Sequence, residues 1–200
     1  DEWDVGLLNM QSKQVGSIAS ENFGVFRLRK NVLNQRSYIG AMVTTRGMAN
    51  GNWNFAYGLD GIFNLFNHDY LQVNLATTDD TQDTSEMKSL EKSRIYMKWE
   101  KRIINGFGYT FSYSHVGNDF NPGLGFERRK NFFQLGDEFF YSWFAPKSSS
   151  LRQTTITLNG NVSYNNSSNL LETSSVGLDS EWTWNRGSSV SLGIQKLKDR

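Results

Sequence analysis

Apolar and polar residues alternate with a period of two along much of the chain. The clearest run places Trp53, Phe55, Tyr57, Leu59, Gly61, Phe63 and Leu65 between Asn54, Ala56, Gly58 and Asp60. That period marks one extended strand with one apolar face. At ~3.3 Å per residue and a tilt near ~40°, a strand of this length crosses a bilayer core. The pattern recurs at Leu71, Val73, Leu75; at Ile95, Met97, Trp99; and at Phe107, Tyr109, Phe111, Tyr113. Further along, Ile156, Leu158, Val162 and Tyr164 oppose Thr155, Thr157, Asn159, Asn161 and Ser163. Val176, Leu178, Trp182 and Trp184 oppose Gly177, Asp179, Glu181 and Thr183, and Val190, Leu192 and Ile194 open a last strand. Alternation is less regular over 3–10, 23–28 and 132–144, where Asp137 shares a face with Leu135 and Phe139 unless a bulge re-aims it.

Connections alternate in length. Long ones fall near 11–21, 78–91, 117–130 and 165–170, with the short 47–51 in a long-side slot. Short ones fall near 31–36, 67–69, 101–105, 146–150 and 185–187. An up-and-down meander with loops at one end and tight turns at the other has this pattern. The expected fold is therefore all-β, an antiparallel up-and-down transmembrane β-barrel. About eleven strands are present, an odd number where single-chain bacterial barrels close with even ones. Residues 1–200 are thus expected to be one outer-membrane barrel domain, incomplete, beginning at a processed or excised end.

A soluble carbohydrate-binding β-sandwich would also alternate, and the second face separates the two readings. A strand face in water normally carries Lys, Glu, Arg and Thr. Here the polar positions are mainly Gly, Ser, Thr, Asn and Ala, which suits a crowded barrel interior. Trp and Tyr often end the apolar runs, as at the interface girdles of membrane barrels. The expected lipid-facing and girdle aromatics are Trp53, Phe55, Tyr57, Trp99, Phe107, Tyr109, Phe111, Tyr113, Trp182 and Trp184.

Composition agrees: Phe 14, Tyr 8 and Trp 6 accompany Gly 18 and only Pro 2. Proline would remove donors from strand interiors. The negative mean hydropathy is no objection, because barrels alternate apolar with polar positions. No stretch approaches the ~20 apolar residues of a membrane helix. A net charge of +1 gives no general attraction to nucleic acid. The absence of Cys excludes disulfides and thiolate metal sites.

Catalytic signatures are missing: there is no nucleophile elbow, P-loop, dinucleotide fingerprint or HExxH. No catalytic residue and no cofactor is assigned. His68 reads as a turn residue and His115 as a rim residue. Asp60, Arg94, Lys98, Glu138, Asp179 and Glu181 fall on polar faces and would form a charged network in the interior. Glu138, Asp179 and Glu181 could alternatively serve a hydrolase acting on a glycan or ester, since such chemistry uses paired carboxylates. Asp79, Asp80 and Asp83, near Glu86, make a weak calcium candidate. Arg128, Arg129 and Lys130 give one loop a basic edge that would meet lipopolysaccharide phosphates or a partner.

Four segments also resemble a known family. They are WDVGLLNMQS from Trp3, ENFGVFRLRKNVLNQRSYIGAMVT from Glu21, YGLDGIFNLF from Tyr57, and HVGNDFNPGLGFERRKNFFQLGDEFFYSW from His115. They are similar to the C-terminal barrel of Bacteroidota outer-membrane proteins that carry an N-terminal carbohydrate-binding-like β-sandwich domain. The resemblance implies a Gram-negative outer-membrane location and no defined catalytic positions. The expected function is a membrane anchor, a narrow pore or a component of an outer-membrane assembly. Its partners would be the lipid bilayer and lipopolysaccharide, and other outer-membrane or periplasmic proteins.

Overall fold

The computed structural model describes residues 3–81 and 90–199. Eleven strands follow one another: β1 (Trp3–Gln11), β2 (Glu21–Asn31), β3 (Tyr38–Met48), β4 (Trp53–Phe66), β5 (Asp69–Asp80) and β6 (Ser93–Lys101), then β7 (Gly106–Val116), β8 (Phe132–Phe144), β9 (Leu151–Asn165), β10 (Leu171–Trp184) and β11 (Ser189–Asp199). No helix occurs among the described residues. The strands form one antiparallel sheet in sequence order, the simplest meander. The sheet is not closed, because β1 and β11 stand at its two ends and do not pair with each other.

The predicted strand at Trp53 to Leu65 is β4, and the predicted connections match the observed breaks to within a few residues. Asp79 and Asp80, read as loop, complete β5 instead. By internal contacts the chain divides into two compact units. One comprises Asp1–Asn64, Gln72–Met97 and Ser114–Phe132; the other comprises Leu65–Leu71, Lys98–Tyr113 and Phe133–Arg200.

In the first unit, register carries each face from strand to strand. Leu7 pairs with Phe26, Phe26 with Val43, and Val43 with Tyr57, which makes one continuous apolar row. One residue along, Gly6, Arg27, Met42 and Gly58 form a row on the opposite face. A slip by one residue would exchange the two faces, so the alternation fixes the pairing.

The faces then expose apolar side chains and bury polar ones. On β4 the apolar side chains Phe55, Tyr57 and Leu59 are 40%, 47% and 61% exposed, while Asn54 on the other face is 6% exposed. Thr44 and Thr78 are buried with it. Among the described residues, the buried apolar cluster holds only Val116, Phe120 and Phe132, with Ala76 packed beside it. In the second unit, Ser142, Thr154 and Ser163 are buried, and Leu158, Val176 and Leu178 are exposed.

The apolar face of the second unit carries a ring cluster. Phe107 stacks on Phe139 at 6.3 Å, Phe111 meets Phe139 edge-on at 5.4 Å, and Trp99 meets Tyr109 edge-on at 5.7 Å. Such pairs contribute roughly 0.5–1.5 kcal/mol beyond area burial. Tyr109 donates its hydroxyl hydrogen to Asp69, so this ring is apolar along its body and polar at its tip. Asp137 shares the exposure of Leu135 two residues before it. It sits over Gly160, where a Cβ would lie 2.7 Å from its Oδ1.

Candidate functional site

The polar face of the first unit gathers most of the organised polar chemistry. Arg27 on β2 grips the Asp60 carboxylate on β4 with both terminal nitrogens, Nη2 to Oδ2 at 2.7 Å. The pair spans the strand between them, over Gly40. A Cβ there would lie 2.7 Å from Arg27 Nη2 and 3.0 Å from Asp60 Oδ1, so only glycine leaves the path open. Toward one end of the face, Arg46 binds Glu21 in the same two-point manner, at 3.0 and 2.9 Å. Toward the other, Arg29 meets Asp4 at 3.3 Å and lies 4.4 Å over the Tyr38 ring. Each cation on this ladder has its anion, so the face is polar without a strong net field.

The connection between β7 and β8 lies on this face. Its first residues extend the ladder: Gly117 N donates to Ser93 O and Asp119 N to Glu91 O, both at 2.8 Å. A Cβ on Gly117 would fall 2.0 Å from Glu91 O and 2.4 Å from Leu90 O, which are backbone atoms that cannot swing aside. Gly117→Ala is therefore expected to cost about 3 kcal/mol or more, the top of the overpacking range. Denaturant unfolding of the purified protein measures it.

Beyond Asp119 the connection turns onto the sheet. Phe120 is 3% exposed against Val116 and Phe132. The Asn54 amide clasps the next residues at two points: its Nδ2 donates to Asn121 O at 2.8 Å, and Gly123 N donates to its Oδ1 at 2.6 Å. Asn121 N donates to Thr78 Oγ1 at 2.9 Å, and Arg94 Nε donates to Glu127 Oε2 at 2.9 Å. Three successive strands, β4, β5 and β6, thus each supply one anchor. A cavity of about 400 Å³ lies between Phe120, Pro122 and Leu124 on one side and Arg27, Thr44 and Asn74 on the other.

Several of the charged positions read from the sequence meet a partner close by within their own unit. Asp60 pairs with Arg27, Arg94 with Glu127, and Lys98 with Glu100 at 2.9 Å. Asp179 accepts from Asn159 Nδ2 at 2.8 Å. Glu138 and Glu181 have no hydrogen-bond or ion-pair partner among the described residues. A shared face does not make a pair; register and reach decide which side chains meet.

No group of three or more His, Asp or Glu that could hold a metal occurs among the described residues. Of the calcium candidates, Asp79 lies 3.7 Å from the Lys92 ammonium and Asp80 lies 3.5 Å from the Asn54 amide. Asp83 and Glu86 lie outside the described residues. In the basic run, Arg129 is turned onto the Phe132 ring at 4.6 Å, and Arg128 is exposed. Of the predicted lipid-facing aromatics, Trp53, Phe55, Tyr57, Trp99, Phe107 and Phe111 are exposed, and Tyr109, Tyr113, Trp182 and Trp184 are half-buried.

Sequence reading missed Arg27, Asn54, Thr78 and Glu127 as functional positions. Asn54 carried a faint signal, as an amide opening a row that continues with Ala56, Gly58 and Asp60. Compared with protein-family models, with curated proteins and with solved structures, the chain finds no match.

Proposed function

We propose that this chain forms part of the wall of an outer-membrane β-barrel in a Gram-negative bacterium, with its apolar face in lipid and its polar face toward a narrow interior. One observation carries the reading: the apolar side chains are the exposed ones, and the polar face is where side chains are buried. In water, exposing Leu59, Leu158, Val176 and Leu178 together forfeits about 25 cal/mol for each Å² left uncovered. In hydrocarbon the same exposure costs nothing, and the small polar groups opposite avoid it.

Lipid also demands that every backbone group be paired, which a meander of long antiparallel strands achieves everywhere except at its edges. The outer edges of β1 and β11 accordingly need strand partners in the membrane, which closure of the barrel supplies. The ring clusters on the apolar face fit the interfacial zone, where an aromatic body and a polar tip are both satisfied. The same features keep membership of the Bacteroidota barrel family within the proposal. They also support roles as anchor, narrow pore or assembly component, with lipid and lipopolysaccharide as neighbours.

Fractionation of cells producing the full-length protein tests this reading. The expected result is recovery in the outer membrane, release only by detergent, and a folded form whose gel mobility changes on boiling. A monodisperse protein that stays soluble without detergent would overturn it. Bilayer reconstitution then separates pore from anchor by the presence or absence of conductance.

A further inference from the structure

We propose that the β7–β8 connection, residues 117–131, is a fixed constriction of the barrel interior, folded inward and latched to the wall so that it limits the size of solute that passes. This inference rests on the barrel reading above. A connection at the rim of a barrel is free to extend into water, where its polar backbone is fully solvated. This one does not. It places Phe120 against Val116, Phe132 and Ala76 on the polar face, and this is the buried apolar cluster among the described residues.

The receiving wall is built for it. Asn54 and Thr78 are 6% and 3% exposed, and both direct their polar atoms at the backbone of residues 121–123. A buried amide or hydroxyl without a partner costs about 1–3 kcal/mol, so these two side chains hold the connection in place as well as touch it. The Arg94–Glu127 pair fastens its returning half. Anchors at 120, at 121–123 and at 127 leave no long unattached span. A latched element of this kind narrows a passage permanently and does not open and close as a loose flap would.

The apolar side of the connection, Phe120, Pro122 and Leu124, closes over a cavity whose floor carries the Arg27–Asp60 pair. Phe126 lies on the outside, 85% exposed. A solute crossing this face therefore meets the connection and passes along its outer side.

The test uses the full-length protein in planar bilayers, with insertion verified separately by protease protection and by heat-modifiable mobility. Residues 118–130 are replaced by a short Gly-Ser segment. The expected result is a rise in single-channel conductance of several-fold over the parent, or the appearance of conductance where the parent is silent. An inserted variant whose conductance equals the parent's, silence in both included, would overturn the constriction and leave the barrel standing. A parent that never inserts would instead overturn the barrel reading, and the constriction with it.

Should the shortened variant not fold, the absence of native Cys allows a second measurement. Leu124→Cys is expected to react with a membrane-impermeant maleimide at least tenfold more slowly than Phe126→Cys, and the gap should narrow when Asn54→Ala is added. Equal rates at the two positions in an otherwise native chain would overturn the latch.

Discussion

Leu59→Arg is expected to lower the stability of the lipid-inserted protein by about 2–4 kcal/mol, the cost of a cation near the bilayer midplane on a barrel's outer face. Leu59 is well suited to the experiment because it sits midway along β4 on the apolar face, 61% exposed and flanked by Tyr57 and Gly61. The same substitution has the opposite consequence if that face meets water. An exposed leucine on a soluble sheet accepts arginine within about 0.5 kcal/mol and gains solubility. The size of the effect thus reports what the face touches. Leu158→Arg on β9 repeats the measurement in the second unit, and Leu59→Met serves as control, a swap of similar volume expected to cost under about 1.5 kcal/mol. Reversible denaturant titration in phosphocholine vesicles gives the numbers. A loss below about 0.5 kcal/mol at both leucines, the surface value, would remove the membrane from the interpretation.

How much of this was legible in the sequence depends on which physical link each feature rests on. The strand from Trp53 to Phe66 was readable because period two is a local property: each residue's face follows from its neighbours alone. β3 was harder. Its apolar row, Ile39, Ala41, Val43, Thr45 and Gly47, ends in Thr and Gly, and the opposite row, Tyr38, Gly40, Met42, Thr44 and Arg46, includes Tyr38 and Met42, which blurs the alternation. Only its neighbours, with Val43 opposite both Phe26 and Tyr57, show which side is which. Asp137 is hard to read for a related reason. A carboxylate on an apolar row suggests a bulge, and the room that Gly160 leaves for it is not visible from its own strand.

The charged positions illustrate the same limit. Asp60, Arg94, Lys98, Glu138, Asp179 and Glu181 were grouped because alternation put them on polar faces, and that assignment is a matter of parity along each strand. Partner choice depends on register and on the connections. Arg94 turns to Glu127, which lies in a connection and has no parity to read. The fold of residues 117–131 onto the polar face was likewise invisible. Pro122, Gly123 and Gly125 announce a turn, but the direction of that turn is set by Asn54 and Thr78, far away in sequence. A long connection rich in Gly and Phe facing a strand with one isolated buried amide is the signal to look for.

Asp60→Ala is expected to destabilise the protein by about 2–3 kcal/mol, below the ~3–5 kcal/mol of a fully buried pair because Arg27 keeps some contact with water. The side chains of Arg27 and Asp60 are 32% and 17% exposed, so the guanidinium left behind is only partly rescued by solvent. Removing both charges behaves differently. With Arg27→Met and Asp60→Leu together, most of the loss should return, since the cost of stranding one ion disappears and the two apolar chains refill the space. Gly40 makes the pair a three-strand device. Gly40→Val puts a side chain where Arg27 Nη2 now passes, so it should break the pair without touching either charge. In the background lacking both charges, Gly40→Val should cost about 1–2 kcal/mol less than in the parent, within the usual range of coupling between neighbours. If its cost is the same in both backgrounds, the glycine serves the strand itself and the ion pair across it is incidental. The distinction matters for the face as a whole, because a tie that skips a strand locks β2, β3 and β4 into one register, and that register decides which face of these three strands is apolar.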